Sequence, residues 1–410
     1  VLGAVYGVAA AFLGWQGFTT DWIGPFGVLF LNLLKLVAVP LVVTTLVAGV
    51  ASLPNLRSLS RIGLRAVSLF LATTIISCVI ALTLAAAVRP GARMPEEMAR
   101  GLGGGDQTVV EQQIVDDARG LSPLASLVEI VPENVLAAAS DNRNLLQVVL
   151  ISLLVGGALV RVAEEHSRPV VQLVEALAHV TVALVNWIMK VAPLGVFALI
   201  ASAITSMAAD GPGELLTLFA ALGQYGVVLV VALLLQTFGV YGVMIRLLSR
   251  MSPGRFFRGI SAAQLVGFST SSSAATLPVT MEQCTEELAV SERITSFVVP
   301  LGATVHMNGT AIFLCVASLF LVQATGTTLG ASGYLTILAL ATLGSIGAVA
   351  IPSIGIVFLI VILETLGVAT AGVALILGVD RVLDMARTVT NVTGDAVVAV
   401  IISAFEKSNS

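Results

Sequence analysis

The sequence predicts an all-α membrane protein with eight spanning helices, two re-entrant helical hairpins and an inverted repeat. Three observations predict it. The first is composition: the 410 residues are 57% hydrophobic and 11% charged, against about 25% charged in an ordinary soluble protein, and the mean hydropathy is +1.02. The second is that apolar runs of about 20 residues recur, the length that crosses about 30 Å of hydrocarbon. The third is a pair of apolar segments folded about small-residue tips, whose arms are too short to cross.

Taken in order, candidate spanning helices cover 1–14, 25–50, 62–88, 145–162, 168–206, 216–248, 292–322 and 371–404. Val1 opens inside an apolar run, so the N-terminus reads as trimmed. Between the later helices lie the two unusual segments, 259–288 and 334–367, each with two apolar arms, a small-residue tip and a proline, Pro278 or Pro352. Arms of about 10–15 residues, at 1.5 Å per residue, fall short of the bilayer thickness. Irregular backbone at that depth needs protein or water around it. The units 259–322 and 334–404 therefore read as a repeated pair.

Charge sets the orientation. Arg57, Arg61, Arg65, Arg161, Arg168, Arg246, Arg250, Arg255, Arg258 and Lys407 all fall on one side under alternate crossings. The positive-inside rule makes that side, and both termini, cytoplasmic, and the protein a multi-pass component of the cell (inner) membrane. The loop from Arg89 to Ala138 then lies outside; its acids, among them Asp106, Asp116 and Asp117, read as a solvated face. A net charge of −4 with most charges in a few loops points to no nucleic-acid partner. Cys78, Cys284 and Cys315 are scattered and odd in number, neither a disulfide framework nor a zinc site.

Against this background the stretch DRVLDMARTVTNVTGD, 380–395, stands out. It holds five charges, whereas the 86 residues Ile294–Val379 hold one, Glu364. Asp380, Asp384, Arg387, Thr388, Asn391 and Asp395 share one helical face, and Arg381 lies about 100° away. Each charge at the bilayer centre costs about 2.5–3.5 kcal/mol, so the four on this face cost on the order of 10 kcal/mol unpaired. They must face protein. Arg387 suits a carboxylate, held bidentately. Asp384, one turn earlier, suits an ammonium, and Asp395 and Asn391 offer hard oxygens to a small cation.

Two further stretches add polar groups. FSTSSSAATLP, 268–278, brings three successive serines to a hairpin tip, and GATVHMNGT, 302–310, is expected to break the seventh helix at Gly302 and Gly309, freeing carbonyls for a cation. An intramembrane His such as His306 is as often a hydrogen-bonded interior residue as a ligand.

The motifs STSSSAATLPVT, LGATVHMNGTA, SIGAVAIPSIG and DRVLDMARTVTNVTGD, with WIMKVAPLGVFALIA and LKLVAVPLVVTTLVAGV, resemble the signature elements of the glutamate transporter family, the dicarboxylate/amino acid:cation symporters. The resemblance covers essentially the whole chain. It implies a homotrimer whose transport domain moves like an elevator against a scaffold, with the second hairpin as extracellular gate. The scaffold would comprise 1–61 and 145–206. The transport domain would comprise 62–88 and 207–410, and 89–144 would be the outer loop and the start of helix four. The resemblance further implies that Arg387 binds a substrate side-chain carboxylate and Asp384 its amino group. Thr310, Thr388 and Asn391 would surround the backbone carboxylate, with Ser272 or Ser273 from the first tip and Ile351 and Gly355 from the second. One sodium site would use Asp395 with backbone oxygens of Gly302, His306 and Asn391. A second would use backbone oxygens of Thr304, Ser345, Ile346 and Ala348, near Met307.

This chain departs from that pattern. Family members commonly carry Asn-Met-Asp-Gly-Thr where it has His306-Met307-Asn308-Gly309-Thr310. A third sodium site, drawing on Thr73, Thr74, His306 and Asn308, is thereby put in doubt, and Phe70 stands where a Tyr is usual. Leu314 replaces the proton-carrying Glu of animal members. The resulting expectation is a sodium-coupled symporter of an acidic amino acid, aspartate or glutamate, and not an enzyme. The main alternative is a proton-coupled carrier of glutamate, aspartate or a C4-dicarboxylate on the same fold. An intramembrane hydrolase using Ser272, His306 and Asp384 accounts less well for the serines, and a pure anion channel has no need of coupling acids.

Overall fold

A computed structural model describes residues 2–51, 62–94, 131–140, 144–208, 212–347 and 355–407. Most of the outer loop, and the tip of the second hairpin with Ala348, Ile351 and Pro352, lie outside the described residues. Among those described there are helices and turns and no strand. The helices are α1 (Leu2–Phe12), α2 (Gly24–Ala51), α3 (Ile62–Val88), α4 (Leu145–Arg161), α5 (Glu164–Ala208), α6 (Pro212–Leu234) and, after a π-helical turn, α7 (Tyr241–Leu248). Then follow α8 (Pro253–Gly259), α9 (Ser261–Thr270), α10 (Ser273–Glu282), α11 (Glu292–Val305), α12 (Asn308–Ala324), α13 (Ala331–Gly347), α14 (Gly355–Thr365) and α15 (Val373–Lys407). Six helical stretches among the described residues are long and apolar enough to cross a membrane: Gln16–Ala48, Ile62–Arg93, Glu164–Val185, Leu216–Leu248, Glu292–Ala324 and Thr370–Glu406.

Packing follows from which faces are apolar. The sequence of α12 has no polar face, and a helix of that kind has to be surrounded; Asn308 to Val322 are all buried. Around it gather α3, α6, α13, α14 and α15, while α9 and α11 lie along α15. The other long contacts join α5 to α1 and α2, and α4 to α2.

The first hairpin is α9 and α10, ten residues each, or about 15 Å at the helical rise. Its tip is Ser271–Ser272, and Pro278 lies within α10, not at the tip as the sequence suggested. The reason is a cap: the Ser272 hydroxyl accepts the Ala275 N–H at 3.2 Å and starts the helix before the proline is reached. Ser271 takes the left-handed conformation, φ 52°, that turns the chain.

A second correction concerns the broken helix. The break falls between the two glycines, not at them. α11 ends at Val305, His306 and Met307 leave helical geometry, and α12 resumes at Asn308. The glycines permit close approach instead. A β-carbon on Gly302 would meet the Asp395 carboxylate, and one on Gly309 the main-chain carbonyl of Arg387. Without side chains there, both halves of the broken helix sit directly against α15.

Candidate functional site

α15 places its polar residues in one column. Asp380, Arg387, Thr388, Asn391 and Asp395 are buried, Asp384 is half-buried and Arg381 is exposed, as the spacing predicts. Arg387 is 1% exposed. Its Nη2 lies 2.7 Å from Oδ1 of Asp380 and 2.7 Å from Oδ1 of Asp384. Its guanidinium carbon stands 4.0 Å from the centroid of the Phe313 ring, a cation–π contact supplied by α12. The first residue of α14 closes the other side, where a β-carbon on Gly355 would be 3.3 Å from Nη1. Nε is buried with no hydrogen-bond partner among the described residues. Two acids thus face one guanidinium, and the cluster carries a net charge of −1 when all three are ionised.

Two turns further along α15, Asp395 packs on Gly302 at the end of α11. The fully buried imidazole of His306 bridges it to α3: Nδ1 is 3.1 Å from Asp395 Oδ1, and Nε2 is 2.8 Å from Thr73 Oγ1. Phe70 stacks on the ring at 4.5 Å between centroids. Alongside, Thr74 donates to Asn308 Oδ1 at 2.6 Å, and the Asn308 amide donates to the Tyr241 hydroxyl at 2.9 Å. The residues of the doubtful third ion site are thus paired with one another and with Tyr241, and the Thr74–Asn308–Tyr241 arm contains no carboxylate. Asn391 accepts the Gly309 N–H at 2.7 Å, which ties the start of α12 to α15.

The remaining candidates fall as follows. Thr310 is buried beside Gly309, and Thr388 donates to the Asp384 carbonyl at 3.0 Å. Ser272 caps α10, Ser273 is buried in its first turn, and the hairpin lies along α15 near Thr388. Met307 is buried in the helix break. Thr304 is exposed and bonds back to Leu301 O at 2.8 Å, and buried Ser345 bonds back to Thr342 O at 2.7 Å. Ile346 is half-buried; Ala348 and Ile351 lie outside the described residues. Ser272, His306 and Asp384 do not assemble into a triad, because His306 bonds Asp395 and Thr73, and Asp384 bonds Arg387.

Three roles escaped sequence reasoning, those of Asp380, Phe313 and Tyr241. Asp380 lay on the right face, one helical repeat of seven from Arg387, and that spacing is a usable signal; the other two left none. Ser271, the first of the three tip serines, has a buried hydroxyl with no hydrogen-bond partner among the described residues.

As for a cation, the residues around Asp395 fit one. The last carbonyls of a helix end lack the N–H groups of a further turn; α11 ends beside the Asp395 carboxylate, where the Gly302 carbonyl accepts the His306 N–H at 2.8 Å and keeps a second lone pair, and hard cations such as sodium take oxygen ligands of this kind.

Comparison with known proteins bears on the whole chain. It is 35% identical over 397 residues to the neutral amino acid transporter B(0) of Oryctolagus cuniculus, covering 90% of this chain and 71% of that protein. It is 34% identical over 412 residues to the C4-dicarboxylate transport protein of Stenotrophomonas maltophilia, covering 99% and 86%. To the proton/sodium-glutamate symport protein of Bacillus subtilis it is 32% identical over 410 residues, covering 99% and 90%. The family model described as the sodium:dicarboxylate symporter family matches residues 1–405. A multi-pass helical protein whose buried acids and arginine line one helix, matched along almost its entire length, belongs to the sodium:dicarboxylate symporter family and is a transporter, not an enzyme.

Proposed function

We propose that the chain carries an acidic amino acid, aspartate or glutamate, into the cell together with sodium. The observation that carries this reading is the buried Arg387 held between Asp380 and Asp384. A guanidinium at that depth needs an anionic partner at every stage of a transport cycle. A substrate carboxylate arriving at Arg387 takes the place of Asp384, which is the more exposed of its two acids at 13%. Asp384 is then released into the same cavity and needs a cation of its own. An α-ammonium group one turn away supplies it. A plain C4-dicarboxylate leaves Asp384 unpaired, and a neutral amino acid has no side-chain carboxylate for Arg387; an unmatched buried polar group is the strongest basis for rejecting a substrate.

Cation coupling follows from the same charge count. The arginine cluster and an acidic amino acid are each net negative, and moving both across hydrocarbon requires compensating positive charge. Asp395, with the carbonyls at the end of α11, is the proposed sodium site. A cation there would bind the helix break to α15 about two turns from Arg387 and three from Asp384. The second proposed site, around Thr304, Met307, Ser345, Ile346 and Ala348, draws on α11 and α13, which pack against each other.

For the movement itself we assign α1, α2, α4 and α5 to a scaffold, and α3 with α6–α15 to a transport domain that slides as an elevator within each protomer of a trimer. The contacts of α2 with α1's partner α5 and with α4 are more extensive than its contacts with α13 and α14, which supports that division. Uptake into proteoliposomes tests the function. With sodium and proton gradients imposed separately, labelled aspartate or glutamate should accumulate with sodium alone. Accumulation of succinate or alanine in preference to both acids, or accumulation driven by the proton gradient alone, would overturn the assignment.

A further inference from the structure

The arginine-rich end of the molecule holds a cleft that the transport site does not use. It is bounded by the turn after α7, the start of α8, the turn Leu288–Val290 beyond the first hairpin, and the last turns of α15, and encloses about 250 Å³. Its charged lining residues are Arg250 and Arg255, and no carboxylate lines it. Neither guanidinium has an ion pair among the described residues. The acids at hand are placed elsewhere: Glu286, Glu287 and Glu292 are exposed outside the cleft, and Glu406 pairs with Arg65 at 3.2 Å. The rest of the wall is largely apolar, with Leu288, Val290 and Val400. One buried polar group also lines it. Ser403 is 5% exposed, and its hydroxyl makes no hydrogen bond with another described residue.

Two like charges beside an unpartnered hydroxyl form an anion site. Guanidinium forks match the geometry of phosphate oxygens, and a hydroxyl can donate to a third. We infer that this cleft holds the phosphate of an anionic phospholipid headgroup. A lipid, and not free phosphate, is favoured because the cleft lies at the ends of two helical stretches long and apolar enough to cross a membrane, and its apolar wall suits the glycerol and the first methylenes. Basic pockets between helices on the cytoplasmic side take such headgroups. The bound lipid would tie the exit of the first hairpin to the end of α15. The inference uses the inward orientation of the arginines but no step of transport, so its test reads binding alone.

The full-length protein, purified in detergent, is incubated with phosphatidylglycerol or with phosphatidylcholine, and adducts are counted by native mass spectrometry. Phosphatidylglycerol should be retained well above phosphatidylcholine. The double variant Arg250→Gln/Arg255→Gln should bind it about thirtyfold more weakly, from roughly fivefold per basic residue at an anionic surface. Ser403→Ala, which keeps the charge and removes only the hydroxyl, should weaken it severalfold. The control Arg246→Gln/Arg258→Gln removes the same charge outside the cleft and should weaken retention far less than Arg250→Gln/Arg255→Gln. Equal loss in both double variants would overturn the site in favour of diffuse surface charge. Unchanged retention in Arg250→Gln/Arg255→Gln, or displacement of all phosphatidylglycerol by an equal concentration of inorganic phosphate, would overturn it too.

Discussion

Arg387 meets the heaviest physical demand of any residue in the molecule. It is a buried permanent charge, and two carboxylates and the face of Phe313 answer it. Replacing it with Cys removes the proposed partner of the substrate carboxylate, widens the pocket and leaves Asp380 and Asp384 without their guanidinium. Affinity for aspartate and glutamate should fall by about 2–5 kcal/mol, the cost of truncating one side of a buried charge pair, and small neutral amino acids should gain. Calorimetric titration of Arg387→Cys checks this; unchanged affinity for both acids removes Arg387 from the site. Asp395 makes a different demand. If a cation at Asp395 raises substrate affinity, substrate raises cation affinity by the same factor. Asp395→Asn should shrink that mutual factor from both directions, as read by titrating each ligand in the presence of the other.

Among the elements, α2 and α14 are joined by an ion pair between Lys35 and Glu364, 2.8 Å apart. Glu364 is the single charge of its long apolar stretch, and its second oxygen is buried without a partner. If α2 belongs to the scaffold and α14 to the sliding domain, this pair must separate when the domain travels. Lys35→Met leaves the acid alone at the domain boundary. With Lys35 a third exposed, the cost is about 1 kcal/mol, so the arrangement described here should lose roughly fivefold in population, and Lys35→Met/Glu364→Gln should restore it. Spin-label distances between α5 and α14 measure that population. An identical distance distribution in all three proteins would separate the pair from the motion.

The elements were largely legible beforehand, for physical reasons. Long apolar runs have one stable form in a bilayer, so the limits of α3, α4 and α15 follow the sequence within a few residues. The face of α15 was legible because six polar residues at helical spacing in an apolar helix have one economical arrangement. What sequence could not supply was partner choice. Nothing in the spacing says that Phe313 lies under Arg387 or that Tyr241 completes the Asn308 network, since those contacts join helices far apart in the chain. Glycine at 302 and 309 was read as a breaker, when its use is to admit Asp395 and the backbone of Arg387. Pro278 was given the tip that the Ser272 cap had already fixed two residues past Thr270.

The whole molecule must balance charge across a low-dielectric barrier. The arginine cluster is net negative, the proposed substrate is net negative, and the network around Asn308 offers amide, hydroxyl and imidazole groups where an acid would strengthen a third cation site. Fewer than three sodium ions, and most simply two, should therefore accompany each substrate. Reversal potentials in proteoliposomes count them, and three ions per substrate would mean that Asn308 and its neighbours bind a cation without a carboxylate. The central claim, that an acidic amino acid and sodium bind this chain as a linked pair, is tested most directly by calorimetric titration of aspartate and glutamate into the purified protein in sodium buffer and in potassium buffer. Binding of at least one of the two acids should be at least tenfold tighter in sodium, a difference of about 1.4 kcal/mol. Equal affinity in the two buffers would contradict the account.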